Sequence, residues 1–166
     1  MDSRSPAFWL KRGLAQAWGL FPSETIKTTL VWAMGPRFLV SVVAVVFDDR
    51  GRVLLLRHTH DRAHPWGLPS GRLERRETPV QAVIRELREE TGLQGEVRAL
   101  VALERVQPLP VLRAAYLCRV RGEFRPSVEV AEAAYFTPAA LPAGVRAVQR
   151  KMISQARQME EHRCES

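Results

Sequence analysis

Cysteine is scarce in this sequence, which holds only Cys118 in an apolar stretch and Cys164 in a polar tail. Two such residues point to neither a disulfide framework nor a cysteine zinc site, and the usage suits a reducing cytoplasm. Long apolar runs are missing too, since none approaches the ~20 residues that cross a bilayer. Near the start, in MDSRSPAFWLKRGLAQAWGLF, Lys11 and Arg12 interrupt the apolar stretch that a signal peptide keeps unbroken. The expectation is a cytoplasmic protein with no integral membrane span. Internal repeats and low-complexity linkers are likewise absent.

What is present suffices for one core. With 46% hydrophobic residues in 166, the chain can bury a substantial interior but is short for two domains. The formal charge is +7, and arginine outnumbers lysine. A positive field draws polyanions such as nucleotides or RNA, although a coding bias toward arginine produces the same surplus.

The run Phe38 to Phe47 (FLVSVVAVVF) is β-branched and apolar, Asp48-Asp49-Arg50-Gly51 marks a turn, and the pattern resumes from Val53 to Leu56. This predicts a buried hairpin. Further strands are predicted at Arg98 to Val106, Val111 to Val120 and Ala134 to Phe136, in a mixed or antiparallel sheet. Thr78-Pro79-Val80-Gln81 carries a helix start, with Thr78 as cap, Pro79 in the first turn and Gln81 completing a capping box, and Gly92 marks the end. On a 3.6-residue period, Val80, Val83, Ile84 and Leu87 share one face while Arg85, Glu86, Glu89 and Glu90 occupy the adjoining arc. Residues Ala7 to Met34, with Trp9, Trp18 and Trp32, suggest two amphipathic helices. Val145, Val148, Met152, Ala156 and Met159 recur at helical spacing after Leu141-Pro142 and predict a C-terminal helix covering the sheet. For both flanks, core cover competes with membrane-surface attachment or a homodimer contact.

Between Gly71 and Leu93 the chain reads GRLERRETPVQAVIRELREETGL. This resembles the Nudix box, G-x5-E-x7-R-E-U-x-E-E-x-G-U with U apolar, at all nine defined positions. The resemblance extends more loosely from Phe38 to Pro142. It implies an α/β Nudix fold, a mixed sheet sandwiched between helices, over 38–142, with an N-terminal helical extension over 1–37 and a C-terminal helix and tail over 143–166. It also implies a metal-dependent pyrophosphohydrolase, which cleaves the diphosphate linkage of a nucleoside diphosphate derivative or nucleoside triphosphate.

The residues make physical sense of that chemistry. Glu86 and Glu90 stand four apart with Glu89 beside them, so three carboxylates crowd one helical patch and repel unless neutralised. A hard divalent cation, Mg2+ or Mn2+, resolves the conflict and also favours phosphate oxygens. Glu86, Glu89 and Glu90 are the expected metal ligands, one of them a candidate general base. Arg85, four before Glu89, is expected to pair with it or with Glu77 and to hold the carboxylates in place. Upstream, Pro65-Trp66-Gly67-Leu68-Pro69-Ser70-Gly71 resembles the rigid approach to the box, and the Gly71 carbonyl is expected to face the metal, with Ser70 where many relatives have glycine. By the same resemblance Glu132, in Glu132-Ala133-Ala134-Tyr135-Phe136, matches an assisting glutamate outside the box, with Glu129 as competitor.

Other signals weigh less. His58, His60 and His64 tempt a zinc assignment, but no cysteine or fourth histidine lies nearby in sequence and Asp61 alone does not complete a site. Arg57, Arg62, Arg72, Arg75 and Arg76 surround the expected entrance; Arg57 and Arg72 are the candidates for phosphate binding. Trp66 reads as packing ahead of base stacking. Two rival functions stay open. One is removal of diphosphate from RNA 5′ ends, and the other is a non-catalytic nucleotide-binding or regulatory module, against which the intact Glu86, Glu89 and Glu90 count.

Overall fold

The computed structural model describes residues 37–164 apart from 60–62, 126 and 129, with isolated positions between 25 and 35. The expected N-terminal helices with Trp9, Trp18 and Trp32 therefore lie outside the described residues, as do His60, Asp61, Arg62 and Glu129. By its internal contacts the chain divides into Met1–Arg37 and Phe38–Ser166.

Among its described residues the second unit holds seven strands and two long helices, in the order β1 (Leu39–Val46), β2 (Val53–His58), β3 (Trp66–Gly67), β4 (Ser70–Arg72), α1 (Pro79–Thr91), β5 (Gln94–Val106), β6 (Val111–Arg121), β7 (Val130–Phe136) and α2 (Ala147–Cys164). A four-stranded sheet runs β4-β1-β6-β5 and a three-stranded sheet runs β3-β2-β7. The first is mixed, because β1 is parallel to β6 while β4 and β5 join antiparallel. The architecture is thus the expected α/β fold.

The apolar run in β1 follows from burial on both sides. Val42, Ala44 and Val46 join Leu54, Leu56, Val83 and Leu87 in a core against α1. Val43 and Val45 join Leu55, Leu117, Met152, Ile153 and Ala156 in a core against α2. Each fully buried leucine or valine contributes roughly 1.5–3 kcal/mol. The C-terminal periodicity holds, with α2 burying Met152, Ile153 and Ala156.

One expectation fails. β1 and β2 do not form a hairpin ladder; a single antiparallel bridge, Phe47 with Val53, joins them. The physical reason is that both edges of β1 are taken by β4 and β6, while β2 pairs with β3 and β7. An apolar run with a turn is equally compatible with a crossing between sheets.

Helix α1 starts and stops as its sequence dictates. Gln81 N donates to Thr78 Oγ1 at 3.3 Å and Thr78 N donates to Gln81 Oε1 at 2.8 Å, a complete capping box. At the other end Gly92 takes φ 72°, a left-handed conformation that glycine adopts without steric cost, and its N–H bonds Arg88 O. The face differs in detail from its periodicity. Val80 is exposed, and Glu90 is buried beside Thr91.

Candidate active site

Glu90 is buried because strand β4 gives it a partner. Ala44 N donates to Pro69 O and Leu73 N donates to Val40 O, each at 2.9 Å. With Val42 opposite Gly71, strand alternation turns the N–H and C=O of Gly71 toward β1. The main-chain groups of Ser70 and Arg72 face the other way, toward α1. Ser70 N donates to Glu90 Oε2 at 3.0 Å and Arg72 N donates to Glu86 Oε1 at 3.3 Å. Two carboxylates one helical turn apart thus sit on alternate amides of one strand. Gly71 lies between them, and a Cβ at that position would overlap the Glu86 carboxylate. The expectation that the Gly71 carbonyl faces a metal is corrected by this register. That carbonyl belongs to the β1 ladder, and the carbonyl of Ser70 is on the helix-facing edge.

Arg85 ties the cluster together. Its Nε and Nη2 donate to Glu77 at 2.9 and 3.1 Å, Nη1 donates to Glu86 at 2.8 Å and to Glu89 at 3.1 Å, and Nη2 also donates to Arg72 O at 2.9 Å. A guanidinium has five N–H groups, so Arg85 keeps none for a substrate. Its own pKa is raised, chiefly by the bonds to Glu77, against the opposing effect of burial, with Glu86 and Glu89 adding to it. Arg85 also holds the Glu77 carboxyl below its ordinary range, helped by the Glu74 amide, which donates at 2.8 Å.

The carboxylates stand where a helix disfavours them. Glu86, Glu89 and Glu90 occupy the C-terminal half of α1, whose end carries partial negative charge. One guanidinium does not neutralise Glu77 and three further carboxylates. Among the described residues, no three His, Cys, Asp or Glu side chains already converge as a ligand set. The donors nonetheless suit a hard cation. Glu86 engages Arg85 and Arg72 through Oε1, and Glu89 engages Arg85 through Oε2, so each retains a second oxygen. Glu89 is half exposed, at 53%, and offers the open side.

The remaining predicted residues are distributed. Arg57 and Glu132 are register partners on β2 and β7, and Arg57 Nε donates to Glu132 Oε2 at 3.0 Å. The structure therefore joins a candidate phosphate binder to a candidate catalytic carboxylate. The side chain of Arg72 is exposed, while its main chain contacts Glu86 and Arg85. His58 ends β2 and His64 lies in the following loop. Trp66 packs edge-on against Phe136, with ring centroids 4.9 Å apart. Sequence reasoning missed Ser70 as a main-chain contributor, and it missed Ser41 and Gln149, whose buried Oγ and Oε1 lack hydrogen-bond partners. The break that Ser41 makes in an otherwise apolar strand was the available signal.

A mixed sheet between two helices, with a glycine-backed carboxylate helix against an edge strand, defines a Nudix-type site. Residues 37–156 match the NUDIX domain family, and the chain belongs to the Nudix hydrolase family. A MutT-like protein of Streptomyces ambofaciens is 35% identical over 104 residues, 62% of this chain and 66% of its own length. A human 8-oxo-dGDP phosphatase is 34% identical over 112 residues, 64% of this chain and 34% of its own. The chain thus spans less than two thirds of these curated relatives. The crystal structure of a MutT Nudix hydrolase from Burkholderia pseudomallei superposes with a TM-score of 0.64 at 25% identity, covering 72% of this chain and 98% of that one. Among the described residues, no helix is long and apolar enough to cross a membrane.

Proposed function

We propose that the protein is a magnesium- or manganese-dependent pyrophosphohydrolase that cuts the diphosphate linkage of a nucleoside diphosphate derivative. The observation that carries this reading is the seating of Glu90 on the Ser70 amide and Glu86 on the Arg72 amide, with Arg85 bridging Glu77, Glu86 and Glu89. Glu86, Glu89 and Glu90 would hold the cation, and the Ser70 carbonyl, in place of that of Gly71, is the main-chain oxygen on their side. When bound, the ion neutralises phosphate charge and raises the acidity of water.

The chain's own residues supply the rest. Arg85 and Glu77 fix the carboxylates before substrate arrives, so no reorganisation is needed during reaction. The spare oxygen of Glu89 is the exposed acceptor for a proton from attacking water. Glu132, held by Arg57, is the carboxylate outside the box. The exposed Arg72 side chain suits a phosphate oxygen.

The test is a screen of nucleoside triphosphates, nucleotide sugars, ADP-ribose, coenzyme A and 5′-triphosphorylated RNA with each metal. Metal-dependent release of a nucleoside monophosphate is expected, and its loss in Glu90→Gln ties it to the cluster. Preference for RNA over every small nucleotide would favour the RNA 5′-end reading. Binding without turnover would favour a regulatory module.

A further inference from the structure

The turn that leads into α1 holds an arginine in a conformation that arginine resists. Arg76 takes φ 69°, and every other described residue of positive φ is a glycine. It stands third in Glu74-Arg75-Arg76-Glu77, with Arg75 and Arg76 at the head of the turn. Positive φ at the third position is the mark of a type II turn, where glycine or asparagine is the usual occupant because a Cβ crowds the neighbouring carbonyl. Glycine there would remove the strain. A strained residue kept beside a functional site points to a task that the fold itself does not need.

The turn is clamped by the guanidinium that organises the site. Arg85 Nη2 donates to Arg72 O at 2.9 Å and to Glu77 Oε2 at 3.1 Å, and Glu74 N donates to the same Glu77 oxygen at 2.8 Å. Arg85 Nη1 reaches Glu86 and Glu89. Turn and carboxylates thus stand within one guanidinium's width of each other, beside the half-exposed Glu89.

Arg75 and Arg76 are exposed, and among the described residues neither guanidinium makes a hydrogen bond or ion pair. The adjoining carboxylate, Glu77, has both oxygens engaged by Arg85 and the Glu74 amide. Two successive cations without a carboxylate partner suit an anion from outside, and phosphate oxygens fit the guanidinium fork. The phosphates on either side of the scissile bond belong with Glu86, Glu89 and Glu90. The turn meets what the substrate carries next to them.

We propose that Arg75 and Arg76 form a phosphate-binding lip that selects substrates with a chain of three or more phosphates over those with two. Arg76 is the specificity-determining residue. The inference rests on the proposed hydrolase reading for the placement of the first two phosphates, but it concerns other residues. A free nucleotide and an RNA 5′ end can both supply such a chain.

The experiment titrates methylene-bridged di- and triphosphate analogues of one nucleoside, with magnesium, by calorimetry, so that binding is read without cleavage. The wild-type protein should bind the triphosphate about tenfold more tightly, the scale of one hydrogen bond to a charged group. In Arg76→Gly that ratio should fall to about twofold or less while the diphosphate keeps its affinity. The same variant should melt no lower than wild type, because relief of left-handed strain offsets glycine's freedom in the unfolded chain. Arg75→Gln should lower the ratio too, and Arg76→Lys, which keeps the charge, should retain part of it. Arg119→Gln removes an exposed arginine on β6 and should leave the ratio unchanged, which controls for overall charge. A wild-type ratio near one overturns the proposal, as does one that survives Arg76→Gly or falls equally in Arg119→Gln. A clear drop in the melting temperature of Arg76→Gly would give Arg76 a structural role instead. Short RNAs with the same bridged groups at their 5′ ends are titrated alongside. A ratio seen only with RNA assigns the lip to RNA ends, and one seen only with free nucleotides assigns it to those. Hydrolysis of the unbridged compounds is scored separately. Selective binding without any turnover would sink the hydrolase reading and leave the lip standing, and turnover without selectivity would do the reverse.

Discussion

The carboxylate of Glu86 occupies the space that a side chain at position 71 would fill, so the close approach of α1 to β4 depends on Gly71 having none. Glycine in the box is commonly read for its flexibility, but here it provides room. Gly71→Ala should displace the helix or the strand, lowering stability by about 1–3 kcal/mol as overpacking does. Turnover should fall much further, because Glu86 would leave the Arg72 amide. Melting curves and kinetics of the variant check this; wild-type values for both would show that the contact is slack.

Glu86→Gln and Glu90→Gln keep the size of each side chain and an oxygen for the Arg72 or Ser70 amide while removing a charge. Each should lower turnover by about 100-fold or more, the scale of ~3 kcal/mol lost in the transition state. In chelator both variants should melt no lower than wild type, since a crowded negative charge has gone. Near-wild-type turnover on the best substrate would move the active site elsewhere.

Activity should require added magnesium or manganese and stop with chelator. The same ions should raise the melting temperature of the wild-type protein, since a ligand that binds only the folded state stabilises it. The shift should shrink in Glu86→Gln. Scanning calorimetry with and without metal measures it, and an identical shift in the variant would place the ion at other residues.

Arg85→Ala should behave differently from the glutamate variants, losing stability and activity together. It leaves Glu77 and Glu86 without their charged donor and Arg72 O without a partner, a loss of about 2 kcal/mol. Metal-saturated kinetics that stay normal while the melting temperature falls would reduce Arg85 to a purely structural role.

Acid should expose the same link. The Glu77 carboxyl sits below its ordinary 4.5 because Arg85 and the Glu74 amide bond its charged form. Its contribution to stability is therefore complete above about 4.5 and disappears as pH falls through the lowered folded-state value. The stability advantage of wild type over Glu77→Gln should hold near neutrality and close in acid. A gap that stays constant throughout the acid range would mean that Glu77 stabilises by packing rather than by charge.

Short-range signals were legible in the sequence because their physics is local. The Thr78 and Gln81 capping box, the Gly92 stop and the Glu86 to Glu90 spacing all act within a few residues. The double-sided burial of β1 is written in its unbroken apolar run. Hydrogen-bond parity is not local. Whether Gly71 or Ser70 turns its carbonyl to the helix depends on the register of β4 against β1, residues about 30 apart in sequence, and no spacing rule reports it.

The chain by itself determined the family, the box helix and the identity of the crowded carboxylates, because these rest on residue types at fixed intervals. Tertiary structure alone decided that Phe47 and Val53 form a bridge rather than a ladder, that Arg57 pairs with Glu132, and that Ser41 stands opposite Arg113 in the sheet. Those pairings arise from strand order, which is settled by which faces and edges best satisfy one another across the whole core.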